Sequence, residues 1–160
     1  MKYPVTPAIR VLREQKIEFE PHISEYIEKG GTKHSSEVLK VEEHAVVKTL
    51  IFETNEKKPL VVLMHGDFQV STKELARLLN VKTIVPVSSE RANKLTGYLF
   101  GGTSPFGTKT KMPVYAEKTI FDLEKIYING GKRGFLIAIE PRVLRDVLDI
   151  EAVEVKQNAD

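Results

Sequence analysis

The sequence predicts an α+β fold in which a mixed β-sheet is surrounded by several short helices. Strand and helix patterns neither alternate strictly along the chain nor separate into two halves, and this arrangement is typical of α+β proteins. The apolar segments 46–52 and 60–64 predict two central strands, and the helical patterns around them are short.

The composition is that of an ordinary globular protein. The chain has 160 residues, of which 41% are hydrophobic and 29% charged, so disorder and low-complexity repetition do not fit. This length is close to the usual size of one domain, and we therefore expect a single domain over residues 1–160. Because the chain has 0 cysteines, a disulfide framework, a thiolate metal cluster and a cysteine nucleophile are excluded.

Neither a membrane span nor a secretion signal is evident in the sequence. No uninterrupted apolar run is longer than Leu60 to Met64, far short of the roughly 20 residues needed to cross a bilayer. The first residues, Met1 to Pro4, do not open a signal-peptide pattern. We therefore expect a soluble, cytoplasmic protein with no membrane partner.

Three elements are predicted before the first central strand. Thr6 and Pro7 form an N-cap and first-position pair for an amphipathic helix that extends to Lys16. The segment 19–23 is typical of a strand, and the proline within it places that strand at a sheet edge. After a glycine turn, the serine pair 35–36 is a candidate cap for a brief helix.

The middle of the chain carries the strongest patterns. Segment 46–52 is β-branched and nearly all apolar, as expected of a strand buried on both faces, and Lys48 is its one charge. Segment 60–64 predicts a second buried strand that forms a hairpin with the first. A capping box at Ser71 then opens a helix that ends near Asn80.

The second half of the chain predicts shorter elements separated by glycine-rich segments. They are a helix at 88–96, a strand at 98–100, a loop at 101–107, strands at 114–116 and 126–129, a tight connection at 130–134, a strand at 135–139 and a final helix opened by Glu140 and Pro141. No internal repeat is visible.

The charge distribution leaves two interpretations open. The formal net charge of +2 neither requires nor excludes a polyanionic partner. Segment 91–133 has eight basic and three acidic residues, which fits either a solvated surface or a contact with nucleic acid.

The common catalytic signatures do not fit. The four histidines show no zinc-site spacing, so we expect no metal site. Ser104 lacks the context of a nucleophile elbow and is expected to be a turn residue. The segment 102–107 resembles a phosphate-binding P-loop, but its lysine is displaced by one position and Pro113 would interrupt the following helix. Two interpretations of this segment remain open. It is either a plain connection between strands or a loop that binds a phosphate or carbonyl group through exposed N–H groups.

Lys48 is the more informative residue. A lone ammonium group in an apolar strand either reaches the sheet edge or faces a cavity that holds an anion. Glycine and small polar residues follow several predicted strands, and such residues commonly line an open pocket. Together these features favour a cavity beside Lys48.

Five segments, taken together, resemble the YbaK/EbsC family of freestanding aminoacyl-tRNA editing proteins, which is related to the editing insertion of bacterial prolyl-tRNA synthetases. These segments are Thr6-Pro7-Ala8, Val47-Lys48-Thr49-Leu50, Thr96-Gly97-Tyr98, the GGTSPFG segment 101–107 and the YINGGKRG segment 127–134. The resemblance extends from about residue 6 to residue 148. It implies a partly barrel-like sheet and a deacylase that clears mischarged tRNA, commonly of the Cys-tRNA(Pro) type, without cofactor or metal.

The resemblance also implies roles for particular residues. Lys48 matches the essential lysine, which contacts the terminal phosphate or adenosine of the tRNA. Gly101 and Gly102 match a loop whose backbone holds the aminoacyl group or the reacting water or thiol. Val47 and Thr49 flank the pocket. Further candidates for substrate binding are Ser24, Thr96, Thr103, Asn129 and Gly130, and candidates for tRNA binding are Lys132 and Arg133.

Three positions depart from the pattern of the cysteine-specific members. Ser24, Asn129 and Leu136 stand where many of those members have Tyr, Ser and Asp, which indicates a pocket altered on at least one wall. The expected partners are the 3′ acceptor end of tRNA and, as a further candidate, prolyl-tRNA synthetase, but not DNA. Three alternatives remain: a deacylase for another small amino acid such as alanine, a non-catalytic module that binds tRNA or a synthetase, and a small-nucleotide binder.

Overall fold

A mixed eight-stranded sheet organises the chain, and the computed structural model describes residues 2–158. The strands are β1 (Glu20–Ile23), β2 (Val46–Thr54), β3 (Pro59–His65), β4 (Phe68–Val70), β5 (Ile84–Pro86), β6 (Val114–Glu117), β7 (Ile126–Lys132), β8 (Phe135–Ile139), β9 (Ile150–Val153) and β10 (Lys156–Asn158). The helices are α1 (Pro7–Glu14), α2 (Gly31–Leu39), α3 (Thr72–Leu79), α4 (Ser89–Thr96) and α5 (Arg142–Val147). The α+β prediction is confirmed. The single domain predicted for residues 1–160 also includes Met1, Ala159 and Asp160, which lie outside the described residues.

The main sheet follows the order β1-β8-β7-β2-β3-β6-β9, and β5 pairs with β2 beside this path. Its pairs are of both kinds: β2 pairs with β7, β3 with β6 and β6 with β9 in parallel, whereas the other pairs are antiparallel. As its proline predicts, β1 lies at one end of this path. A separate antiparallel ladder joins β4 to β10.

The predicted hairpin of β2 and β3 is confirmed and forms the centre of the sheet. Its antiparallel register runs from Val47 opposite His65 to Glu53 opposite Pro59. The other edge of β2 pairs with β7 at Val46 and Val47 and with β5 from Phe52 onward. Within residues 2–158, no strand covers the middle of that edge.

Two apolar cores lie on the two faces of the sheet. The larger core contains buried side chains of α1 and α5 together with side chains from β2, β3, β6, β7 and β8. The smaller core packs α3 against the other face of β2 and β3. Side chains alternate between the two faces along a strand, which explains why the apolar runs of β2 and β3 are almost uninterrupted.

The helix starts predicted from capping residues are confirmed at three helices. The Thr6 hydroxyl accepts a hydrogen bond from the N–H of Ile9, which caps α1. The Ser71 and Ser88 side chains cap α3 and α4 in the same way. The start of α2 differs, because this helix begins at Gly31, ahead of the predicted serine cap, and has no side-chain cap.

The strand predicted at 98–100 is wrong. Gly97 ends α4 in a left-handed conformation, and the chain then turns, with the N–H of Gly102 donating to the Leu99 carbonyl. Tyr98 is buried in the larger core, whereas Leu99 and Phe100 are 63% and 59% exposed. The segment pairs with no strand within residues 2–158.

The end of the chain also differs from the prediction. The tight connection predicted at 130–134 is mostly strand, since β7 continues to Lys132 through an irregularity after Asn129. Strands β9 and β10 were not predicted, because each is short and depends on a distant partner. No helix within residues 2–158 is long and apolar enough to cross a membrane.

Candidate functional site

A cavity of about 440 Å³ opens beside the uncovered edge of β2. Residues 46–50 of β2 form one side of it. The segment that follows β1 and the start of α2 form a second side, and the turn at 100–103 with Asn129 and Leu136 forms a third. A second, more open depression, lined by residues from Ser88 to Leu95 and by Thr110, shares no residue with this cavity.

Most of the residues expected to bind substrate line this cavity. They are Ser24, Val47, Lys48, Thr49, Gly101, Thr103 and Asn129. Leu136, one of the three departures from the cysteine-specific pattern, also lines it. The cavity therefore brings together residues that are separated by up to about 110 positions in the sequence.

Three of the expected residues lie elsewhere. Thr96 is buried, and its hydroxyl donates to the Ala92 carbonyl and accepts from the N–H of Tyr98. A Cβ atom on Gly102 would lie 2.6 Å from the backbone nitrogen of Arg133, and one on Gly130 would lie 2.6 Å from the Phe135 ring. These contacts give the three residues packing or turn-forming roles rather than contact with the cavity.

The polar edge of β2 faces the cavity at Thr49. Along a strand, the backbone N–H and C=O groups of successive residues point to opposite edges. The Val46 carbonyl points toward β3, because it accepts from the N–H of Gly66, so the backbone groups of the even-numbered residues of β2 face β3. The backbone groups of the odd-numbered residues therefore face the opposite edge. There β7 pairs with Val47, and the Ile51 carbonyl accepts from the N–H of Val87, which leaves Thr49 uncovered.

The side chain of Thr49 adds a further polar atom. Its Oγ1 atom is buried and has no hydrogen-bond partner among the described residues. A buried polar atom without a partner costs free energy, so this oxygen is a natural contact for a bound ligand. The sequence alone does not reveal this feature, because it depends on where β5 and β7 end.

Lys48 lies at the cavity with its ammonium group held by the backbone. Its Nζ atom donates to the Phe68 carbonyl, and the side chain is half-buried. Burial lowers the pKa of Lys48 from its usual value, while the Glu43 and Asp67 carboxylates act in the opposite direction. Since an ammonium group has three N–H donors, two remain for other partners.

A polar cluster lies behind Lys48. His44 Nδ1 is 3.0 and 3.1 Å from the two carboxylate oxygens of Asp67, and the His44 ring stacks on the His65 ring at 3.7 Å. Burial lowers the pKa of His65. Sequence reasoning missed this cluster because only the hairpin register brings His65 to the same place as His44.

This cluster is a poor fit for a metal ion. Ligand atoms of His44, His65 and Asp67 lie within 4.8 Å of one another. However, His65 Nδ1 contacts the His44 carbonyl and its Nε2 contacts the Thr119 hydroxyl, each at 2.7 Å. The two imidazole rings are also parallel within 8°, so their nitrogen lone pairs do not converge on one point.

The glycine-rich loop contributes one glycine to the cavity. Gly101 lines it with a backbone φ of +88°, a conformation that residues with a side chain rarely adopt. The N–H of Gly102 is already bonded to the Leu99 carbonyl at 2.8 Å. Of the two glycines expected to hold the reacting group, only Gly101 lines the cavity.

The rest of this loop is fixed by buried hydrogen bonds. Ser104 is fully buried and its hydroxyl accepts from the N–H of Phe106, so it is a turn residue as predicted. The Tyr98 hydroxyl donates to the Phe106 carbonyl, and burial raises the pKa of Tyr98 to about 12. A loop held in this way presents a rigid backbone to the cavity.

Asn129 and Arg133 connect the walls at the mouth of the cavity. The Asn129 side-chain oxygen accepts from the N–H groups of Gly131 and Lys132, and its amide nitrogen contacts the Gly101 carbonyl at 3.4 Å. Arg133 donates to the Phe100 carbonyl and lies over the Tyr26 ring at 4.9 Å. Lys132 and Arg133 are exposed and do not line the cavity.

Comparison with known proteins points to one family. Residues 31–147 match the family described as "Aminoacyl-tRNA editing domain". A protein of Enterococcus faecalis, named "Putative Cys-tRNA(Pro)/Cys-tRNA(Cys) deacylase EbsC", is 26% identical over 94% of this chain and 92% of its own length.

Longer proteins and a solved structure show the same likeness. A "Proline--tRNA ligase" of Streptococcus thermophilus is 24% identical over 85% of this chain, which spans only 21% of the ligase. A solved structure described as "a putative trans-editing enzyme for prolyl tRNA synthetase" superposes with a TM-score of 0.81. That structure is 18% identical and covers 97% of this chain and 100% of its own, which shows that the fold is shared.

We predict that Gly102→Ala destabilises the protein because of backbone contacts rather than cavity contacts. The new Cβ would lie 2.6 Å from the Arg133 nitrogen and 2.8 Å from the Lys132 carbonyl carbon, so backbone must move. We expect a loss of about 2 to 3 kcal/mol in the free energy of unfolding, measured by urea denaturation.

Gly97→Ala is the control, since its Cβ would meet nothing closer than 3.6 Å. That control should lose only about 1 kcal/mol, from left-handed strain. Equal stability of Gly102→Ala and the unmodified protein would contradict the packing described here.

Proposed function

The chain belongs to the family of aminoacyl-tRNA editing domains, and we propose on that premise that it is a deacylase that removes a wrongly attached amino acid from the 3′ end of a tRNA. The observation that carries this proposal is the arrangement of Lys48, Thr49 and Gly101 around one cavity. A cation, a polar strand edge and a fixed loop backbone surround a space of about 440 Å³, which suits a small group attached to a charged carrier.

We assign Lys48 to the phosphate of the terminal nucleotide. Its two remaining N–H donors suit a phosphate oxygen, and partial burial strengthens such a charged hydrogen bond. Gly101 and Thr49 then lie on the sides where the ester and the amino acid are held. Exposed Lys132 and Arg133 near the mouth are candidates for contacts with the rest of the tRNA backbone.

Catalysis through positioning fits the cavity better than a nucleophilic side chain does. The Ser35 hydroxyl donates to the Gly31 carbonyl, and His34 Nε2 contacts the Glu25 carbonyl, so this pair does not form a serine–histidine couple. Ser24 also has no histidine partner among the described residues. We propose that the nucleophile is either water or a group that the substrate supplies.

We propose cysteine as the amino acid removed, with the substrate thiol as nucleophile. The sulfur forms a bond to the ester carbonyl carbon, the ester C–O bond breaks, and the thiol proton ends on the ribose oxygen. Water then hydrolyses the resulting four-membered thiolactone. An intramolecular attack of this kind gains greatly from effective concentration and needs little from the protein beyond orientation. The name of the Enterococcus faecalis relative supports this choice.

A second candidate is the release of alanine or another small amino acid by water. The apolar residues Val47, Leu50 and Leu136 line the cavity, and their methyl groups suit a small apolar side chain. Prolyl-tRNA synthetase is a further candidate partner, because the chain resembles part of such ligases.

We predict that Lys48→Ala reduces deacylation about 100-fold while the fold is retained. Loss of a charged hydrogen bond costs about 1.5 to 3 kcal/mol, and removing a charge from a strand should not unfold the domain. Lys48→Arg should also be slow, because a planar guanidinium does not replace a compact ammonium group in a fitted site. Turnover and circular dichroism are measured on the same samples, with Lys82→Ala as the control, since Lys82 is exposed and does not line the cavity. Full activity of Lys48→Ala would remove this residue from the site.

We predict that the protein clears cysteine from tRNA quickly and clears alanine and serine slowly. Only the cysteine substrate carries a thiol that can attack its own ester. The measurement is a parallel time course on one tRNA charged with each of the three amino acids. Equal rates for cysteine and alanine would rule out the thiol mechanism and favour water. Binding of tRNA without release of any amino acid would show a non-catalytic binding module instead.

A further inference from the structure

The polar cluster of His44, His65 and Asp67 contacts the segment that holds Lys48. The turn at Gly66 and Asp67 joins β3 to β4 and is followed at once by Phe68, whose carbonyl accepts from the Lys48 ammonium group. The position of that carbonyl determines where the two other N–H donors of Lys48 point. Whatever fixes this turn therefore fixes the cation of the cavity.

The turn is held at its exposed side by a hydrogen-bonded pair, His44 and Asp67. Both carboxylate oxygens of Asp67 lie within hydrogen-bond distance of His44 Nδ1, at 3.0 and 3.1 Å. His44 precedes β2 and is 21 positions away from His65 in the sequence. The pair thus links the turn to the start of the strand that carries Lys48.

The His44 ring is itself held by a rigid support. It stacks at 3.7 Å on His65, which is fully buried and bonded through both ring nitrogens. The Phe68 ring packs edge-on against His44 and His65 at 5.7 and 5.9 Å. The backbone of Phe68 consequently has little freedom to move away from Lys48.

A hydrogen bond from Thr32 of α2 also holds the turn. The Thr32 hydroxyl lies 2.7 Å from a Glu43 carboxylate oxygen and 3.2 Å from the Gly66 carbonyl. The N–H of Gly66 donates to the Val46 carbonyl at 2.7 Å. Thr32 lines the cavity, so these hydrogen bonds connect the turn to the cavity wall.

We infer that His44 and Asp67 are positioning residues for Lys48, which hold the Phe68 carbonyl so that the ammonium group directs its remaining donors into the cavity. This inference rests on the proposed function, in which Lys48 binds the terminal phosphate. His44 and Asp67 act through Phe68 and do not touch the substrate. Their effect is on the rate of the bound complex and on the environment of the Lys48 ammonium group.

The charged and titratable groups around this cluster come from several elements. Glu43 and Asp67 face Lys48 and favour its charged form, whereas burial opposes it. Lys156 of β10 lies over the Phe68 ring at 5.3 Å and disfavours protonation of His65. Removal of the Asp67 charge should therefore lower the pKa of Lys48, because one of its two favourable carboxylates is lost.

The first measurement follows Lys48 directly, without any assay of activity. Protein labelled with ¹³C at lysine Cε is titrated by NMR, and the Lys48 signal is identified with Lys48→Arg. We expect His44→Ala, which leaves the Asp67 charge in place, to lower the pKa of Lys48, because the ammonium group loses the fixed Phe68 carbonyl as hydrogen-bond acceptor. His22→Ala is the matched control, since His22 forms a similar pair with Glu20 at 2.7 Å on β1 and does not line the cavity. An unchanged Lys48 titration in His44→Ala would overturn the inference.

The second measurement separates positioning from general stability. We expect His44→Ala and Asp67→Asn to lower kcat for deacylation about tenfold with KM within about twofold. His44→Asn should recover most of this loss, because its amide nitrogen replaces the Nδ1 donor opposite Asp67. Wild-type rates in His44→Ala, or no recovery in a folded His44→Asn, would contradict the inference. If the unmodified protein releases no amino acid, the proposed function fails, and the Lys48 titration alone decides the positioning role.

Discussion

The uneven pairing of β2 is the constraint on which the candidate site depends. One edge of this strand pairs with β3 along seven residue positions, whereas the other edge, in the part of the chain that the structure describes, is covered only at its ends by β7 and β5. Backbone N–H and C=O groups need partners, so a gap in a buried sheet normally costs free energy. Here the gap opens onto a cavity, where water or a ligand is able to satisfy the groups of Thr49. Lys48 lines the same cavity, with its ammonium group hydrogen-bonded to the Phe68 carbonyl rather than buried alone.

The walls of the cavity are held by hydrogen bonds to backbone rather than by large side chains. Asn129 joins β7 to the glycine loop, and Arg133 joins the start of that loop to Tyr26. The Phe68 carbonyl holds Lys48 in a similar way from the opposite side. Such a site is rigid before a ligand arrives, and a rigid site is what a reaction limited by orientation requires. It also explains why no acid–base pair is needed to account for the proposed chemistry.

The sequence predicted the parts of the fold that depend on local patterns. The hairpin of β2 and β3 and the caps at Thr6, Ser71 and Ser88 follow from apolar runs and from single hydroxyl groups near helix starts. The short strands β9 and β10 were missed because their partners are distant in the sequence.

Contacts between distant residues also limit what the sequence predicts about the site. Lys48 was evident as a charge within an apolar strand, but the contact of His44 with His65 depends on strand register. Thr96, Gly102 and Gly130 belong to motifs that resemble the family. However, Thr96 is buried, and neighbouring atoms occupy the space that a side chain would need at Gly102 and Gly130.

The central claim is that the cavity beside β2 receives the aminoacyl end of the tRNA. The most direct measurement is an NMR titration of ¹⁵N-labelled protein with adenosine that carries cysteine in a stable 3′-amide linkage. The account predicts that the largest amide shifts occur at Thr49 and Gly101, which line the cavity from two sides. Shifts confined to the depression between Ser88 and Thr110, with Thr49 and Gly101 unchanged at saturation, would contradict it.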